Sequence, residues 1–150
     1  MKRSIRTGLS FGLTSGIITT LGLMVGLTAG THSKMVVLGG ILTIAVADAM
    51  SDALGIHISE ESQSRNSMKA VWESTLATFF SKFFFSLTFA IPVLLMDLTA
   101  AVITGIVWGL LVLTYLNYQI GIKEKTGPFK VILEHLTIAV IVIIITYYIG

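Results

Sequence analysis

The chain has 150 residues, of which 54% are hydrophobic and only 12% charged, and its mean hydropathy is +0.88. So few charges cannot coat a soluble globule of this size, which leaves lipid as the solvent. A formal net charge of +2, scattered over the flanks of apolar segments, excludes a basic nucleic-acid surface, and the absence of cysteine excludes disulfides, thiolate metal sites and cysteine nucleophiles.

A helix crosses the hydrocarbon core in about 20 residues. Five stretches qualify, near residues 8–30, 35–58, 74–96, 98–121 and 129–149, so the fold class expected is an all-α integral membrane protein with one transmembrane domain over 1–150. The Met1 to Arg6 start precedes apolar sequence with no small-residue cleavage site, and it is taken as the flank of a retained helix.

On the first helix, Gly8, Gly12, Gly16, Gly22, Gly26 and Gly30, with Ser15 and Thr19, fall in a stripe roughly 120° wide. Such a face lets two membrane helices approach closely, so it is expected to form the seam of a homodimer, with packing inside the chain as the alternative. After a turn at Thr31–Lys34 that holds His32, the second helix carries Asp48 and Asp52 one turn apart, with Ser51, Gly55, Ser59 and Ser62 on the same lane. A carboxylate at such depth costs about 3 kcal/mol on insertion scales, and by default it faces a cavity or a partner on an ion or proton path.

The polar stretch 59–73 is the one connector long enough to fold outside the membrane. His57, Glu60 and Glu61 beside it offer either a weak site at the mouth or a solvated rim. The third helix contributes Lys82, which a depth count puts in one layer with Ser15 and Asp48, about 10–14 Å in, with Asp52 slightly shallower. Lys82 could neutralise the acids in a structural ion pair, snorkel to the interface, or belong to a titrating cluster. Pro92 should break the third helix near residue 88. A minimal turn at Asp97 leads into the fourth helix, and a loop at Lys123–Lys130 with Gly127 and Pro128 leads into the fifth. Glu134 and His135 there are expected as interfacial anchors, with a proton relay as the alternative, and Met24, Met50, Met68 and Met96 converge on no common face.

Lys2, Arg3, Arg6, Arg65, Lys69, Lys123, Lys125 and Lys130 fall on one side and only Lys34 on the other, which predicts a cytoplasmic N-terminus and an outside C-terminus. No Ser-His-Asp set, phosphate loop or zinc motif is present, so no enzyme is expected.

Four segments in order carry a resemblance to a known family. Gly-Leu-Thr-Ser-Gly-Ile-Ile-Thr-Thr-Leu-Gly-Leu over 12–23 resembles the first-helix signature of the vacuolar iron transporter family. The run Ala49-Met50-Ser51-Asp52-Ala53-Leu54-Gly55, with Ser59 and Ser62-Gln63, is similar to its second-helix segment. Phe85-Ser86 through Pro92-Val93-Leu94-Leu95 and the ending Thr146-Tyr147-Tyr148-Ile149-Gly150 match its third-helix and last-helix patterns. The resemblance implies a homodimer that exports ferrous iron or manganese from the cytosol in exchange for protons, along a path at the dimer interface.

Three positions depart from that pattern: Ser15 stands where the family has Asp, Asp52 where it has Met, and Ile56 where it has Glu. A carboxylate has moved from the first helix to the second and the thioether is gone, which favours a harder cation or protons. The glutamate-rich cytoplasmic helices are absent as well, as in the nodulin-like branch.

The function expected is therefore a proton-coupled divalent cation transporter with no bound cofactor. Asp48 and Asp52 would be ligands and proton acceptors, and Ser15, Thr19 and Ser51 would supply hydroxyl oxygens. A non-transporting scaffold or partner subunit, its acids paired with Lys82, is the alternative. The location expected is a multi-pass membrane, the cell membrane in a prokaryote or a vacuole-type membrane in a eukaryote.

Overall fold

A computed structural model describes residues 2–63, 67–123 and 127–150, the side chain of Lys123 excepted; Arg65 and Lys125 lie outside these residues. The described residues are helical throughout apart from short turns. The elements are α1 (Arg3–Thr31), α2 (Lys34–Thr43), a π-turn (Ile44–Asp48), α3 (Ala49–Glu61), α4 (Met68–Thr88), α5 (Ala90–Leu95), α6 (Leu98–Lys123) and α7 (Pro128–Ile149). They make five spans long and apolar enough to cross a membrane: α1, α2 through α3, α4 with α5, α6, and α7.

Helix α1 is the hub, packed most closely on α4 and also on α7, α2 and α6. Its glycines explain why. A Cβ added at Gly8 would lie 2.8 Å from the Cβ of Ala77, and one at Gly12 would lie 2.5 Å from the Thr78 carbonyl oxygen; Gly16 faces Lys82 and Ser86. Farther along, Gly22 and Gly26 face Val142 and Thr146 of α7, and Gly30 faces Gly150. The stripe is therefore spent inside the chain, and it cannot also be the seam of a homodimer as expected from sequence. Small residues at four-residue spacing serve both uses, and here α4 and α7 take the close approach.

The second span contains a feature that the apolar pattern alone did not suggest. Val37, Ile41, Ala45, Ala49 and Ala53 are all buried, at strict four-residue spacing. Each such step overshoots a full α-helical turn by about 40°, so four steps would carry the last residue about 160° around the axis. The π-turn takes up one extra residue and turns the face back, with the Ala49 amide bonded to the Ile44 carbonyl.

The third span breaks where Pro92 demands. Helix α4 ends at Thr88, Phe89 forms a turn with its amide on the Ser86 carbonyl, and α5 resumes at Ala90.

The helices run past the apolar stretches at their polar ends. Helix α3 extends to Glu61 and α4 starts at Met68, capped by the Ser67 hydroxyl, so most of the connector expected over 59–73 is helical. His32 ends α1 in the left-handed region at φ 51°, as a turn residue should. Gly127, at φ 85°, supplies the backbone that lets Pro128 open α7.

Contacts between the ends orient the bundle. Lys2 and Ser4 bond Glu73 at one end, and Gly30 meets Gly150 at the other, so the two termini lie at opposite ends. Ile17, Leu21, Met24, Val37, Ile41, Phe89, Val93 and Leu113 fill the centre. Met35, Leu54, Phe84, Leu111 and Tyr148 are among the large apolar side chains exposed outward, as a bundle solvated by lipid requires.

Candidate functional site

The central polar feature is built on three helices. Lys82 projects from α4 toward α1 and the second span, and it is completely buried, with 0% exposure. Its ammonium donates to Asp52 Oδ2 at 2.5 Å and to Ser15 Oγ at 2.9 Å. The Ser15 hydroxyl in turn donates to the same Asp52 oxygen at 2.6 Å. Asp48 Oδ2 lies 2.5 Å from the ammonium as an ion pair, without the alignment of a hydrogen bond. Gly16 makes this possible, because the Lys82 stem crosses α1 where that residue has no side chain.

The acids occupy the middle of their span. Asp48 is about 20 Å from either end of the Lys34–Glu61 segment, counting the rise per residue. The Asp48 side chain is 36% exposed and that of Asp52 21%, while Lys82 is sealed. Charge at that depth is stabilised only by partners or by water, and with all three groups ionised the cluster carries one more negative than positive charge.

Of the residues expected at the site, Ser15, Asp48, Asp52 and Lys82 are brought together. Thr19 and Ser51 are not. The Thr19 hydroxyl bonds the Ser15 carbonyl on its own helix, and Ser51 is exposed on the outer face of α3. Gly55 and Ser59 follow Ser51 outward, so the lane splits into an inward acid pair and an outward row of small residues. His57 points to α4, where its Nδ1 lies 3.0 Å from Thr75 Oγ1 and its ring meets Trp72 edge to face. Glu60 lines a cleft of about 320 Å³ with Lys2, Arg3, Lys69 and Glu73, and Glu61 is exposed beside it. Among the described residues no group of three or more His, Cys, Asp or Glu could hold a metal ion.

Two buried polar features escaped the sequence reading. Ser74, Thr78 and Ser86 of α4 are sealed against α1, where Thr20 donates to Ser86 Oγ. Their spacing, in register with Lys82 and complementary to Gly8, Gly12 and Gly16, was the available signal. Asn117 of α6 is buried, its amide nitrogen bonding the Leu113 carbonyl while its Oδ1 has no partner. A lone Asn in an apolar run gave no pattern from which to place it.

Neither protein-family models nor curated proteins yield a match to this chain.

Proposed function

We propose that the protein carries a small cation, a divalent ion such as iron or manganese, across a membrane in exchange for protons. Asp48, Asp52 and Ser15 form the exchange site, and Lys82 is a tethered cation that holds it when the cargo is gone. The single observation behind this reading is two partly exposed carboxylates at mid-span sharing one fully buried ammonium. One proton on the pair makes the cluster neutral. A divalent ion bound by both carboxylates displaces that proton and the ammonium from its place between them, so cation binding and proton release are linked. Carboxylate and hydroxyl oxygens suit hard cations. The resemblance to the vacuolar iron transporter family adds the direction, out of the cytosol, and the Lys and Arg bias puts the N-terminal end inside.

A homodimer fits the same reading, with its seam moved to the second span. Gly39, Thr43, Ala47, Ser51, Gly55 and Ser59 recur every four residues and are all exposed, and a Cβ at Gly39 or Gly55 would meet nothing within 4 Å. A second copy packed there would cover the open side of Asp48 and enclose the acid pairs of both chains.

One observation favours the scaffold reading instead: the Lys82 ammonium has three close partners, Ser15, Asp52 and Asp48, one for each of its protons, which is what a structural ion pair needs. Purified protein in liposomes, offered iron, manganese, cobalt and zinc under an imposed pH gradient, separates the two. Transport requires cation-driven proton movement that stops in both Asp48→Asn and Asp52→Asn while the helical fold persists. Proton movement of wild-type size in the double variant, or none in the wild type with any ion, leaves the scaffold.

A further inference from the structure

Away from the acid cluster, a groove of about 820 Å³ opens between the first turns of α1 and the last turns of α6. It has two chemically distinct ends. Arg3 and Arg6 stand at the outer end, both exposed, and Ser10 and Gln119 line the wall, while Leu13 and Leu116 belong to the apolar part. Ten residues of α1 separate Arg3 from Leu13, about 15 Å, which is about the depth of one leaflet's hydrocarbon.

Among the described residues, no carboxylate shares this groove with Arg6, and Arg3 stands between it and the cleft that holds Glu60 and Glu73. On the opposite face of α1, Lys2 is paired with Glu73. The lining of the α1–α6 groove includes two guanidinium groups and no carboxylate. Guanidinium forks match phosphate oxygens, and a wall that turns from arginine to leucine over one leaflet matches a molecule that is a phosphate at one end and hydrocarbon below it.

We propose that this groove is a binding site for an anionic phospholipid of the leaflet in which the N-terminus lies. Arg3 and Arg6 hold the phosphodiester, Ser10 and Gln119 provide hydrogen bonds beneath it, and an acyl chain lies along Leu13 and Leu116. A free inorganic anion would leave the apolar part of the groove unused. A zwitterionic lipid carries its own ammonium beside the phosphate and would bring no net negative charge to the two guanidinium groups. The site is independent of what the acid cluster carries.

The test uses the full-length protein in detergent, titrated with phosphatidylglycerol or phosphatidylcholine and read by native mass spectrometry. Wild-type protein retains phosphatidylglycerol about tenfold more strongly than phosphatidylcholine, and the R3Q/R6Q double variant loses about 30-fold in phosphatidylglycerol affinity, about five- to sixfold per arginine. K69Q, which removes a cation at the same end of the bundle but outside the groove, leaves binding unchanged. Ser10→Phe fills the groove without changing any charge, and it also lowers retention of phosphatidylglycerol. Circular dichroism checks that each variant is folded. Equal retention of the two lipids, an equal loss in K69Q, unchanged binding in R3Q/R6Q or Ser10→Phe, or displacement of the lipid by an equal concentration of inorganic phosphate would each overturn the proposal.

Discussion

Two spans carry small residues every fourth position, and the bundle uses them in opposite ways. The stripe on α1 is packed inside the chain, with Gly8, Gly12 and Gly16 against α4 and Gly22 and Gly26 against α7. The stripe on the second span, Gly39 through Ser59, faces out over open space. The α1 row slips by two residues between Gly16 and Gly22, where it passes from α4 to α7, but within each half the four-residue spacing is that of the second span. What separates them is the partner: α4 presents Ser74, Thr78, Ser81 and Ser86 to α1, small hydroxyl residues that complement the glycines, whereas no element of the described chain covers Gly39 or Gly55. A small-residue face in a membrane is thus an offer of close approach, and its use depends on whether a complementary face exists in the same chain.

The largest effect expected is at the inner stripe. Gly12→Leu puts a side chain where the Ser81 hydroxyl and the Thr78 backbone already are, and backbone cannot yield as a flexible side chain would. The variant should fail to give a folded, monodisperse protein in detergent by size-exclusion chromatography. A folded Gly12→Leu protein would mean that α1 and α4 are not in this contact.

Next is Lys82, which lies between the two stripes. Lys82→Met leaves two carboxylates without their cation in a low-dielectric interior, a loss of about 3–5 kcal/mol when one partner of a buried pair is removed. Thermal unfolding in detergent should fall accordingly, and adding Asp52→Asn to Lys82→Met should recover part of it by removing the stranded charge. No recovery would assign the loss to the packing of the lysine stem on Gly16 in place of its charge.

The smallest effect is at the outer stripe. Gly55→Leu enters open space, so the fold should be unaffected, while an association of about 1–2 kcal/mol through that face should weaken. Light scattering of the detergent-solubilised protein reads this as a shift from dimer to monomer. If mass is unchanged while Gly55→Leu remains folded, the outer stripe is not the seam.

Much of the architecture was legible because lipid simplifies the code. Apolar runs of spanning length marked all five spans, Pro92 marked the break after Thr88, and a depth count brought Ser15, Asp48 and Lys82 to one layer before any contact was known. Three things were not legible. The polar ends of the helices, such as Met68 to Glu73, read as connector because charge and helix are compatible at the interface. The π-turn was hidden because a four-residue repeat is equally a feature of helices that wind around each other. The fate of Ser51 was hidden because Asp52 and Ser51 are adjacent on a helix, about 100° apart, so one can turn to the core only if the other turns away.

Lys82 also constrains how the chain can be assembled. A lone lysine at the centre of a helix opposes insertion by about 3 kcal/mol, and the third span is the only one that brings such a cation into the described core. Its counter-charges precede it, since Asp52 lies 30 residues toward the N-terminus. During synthesis the second span is therefore already made when Lys82 emerges, and the two spans can enter the bilayer as a paired hairpin with the charge neutralised on arrival. A third span made without the second before it would present the lysine alone, and its insertion should fall relative to the paired hairpin.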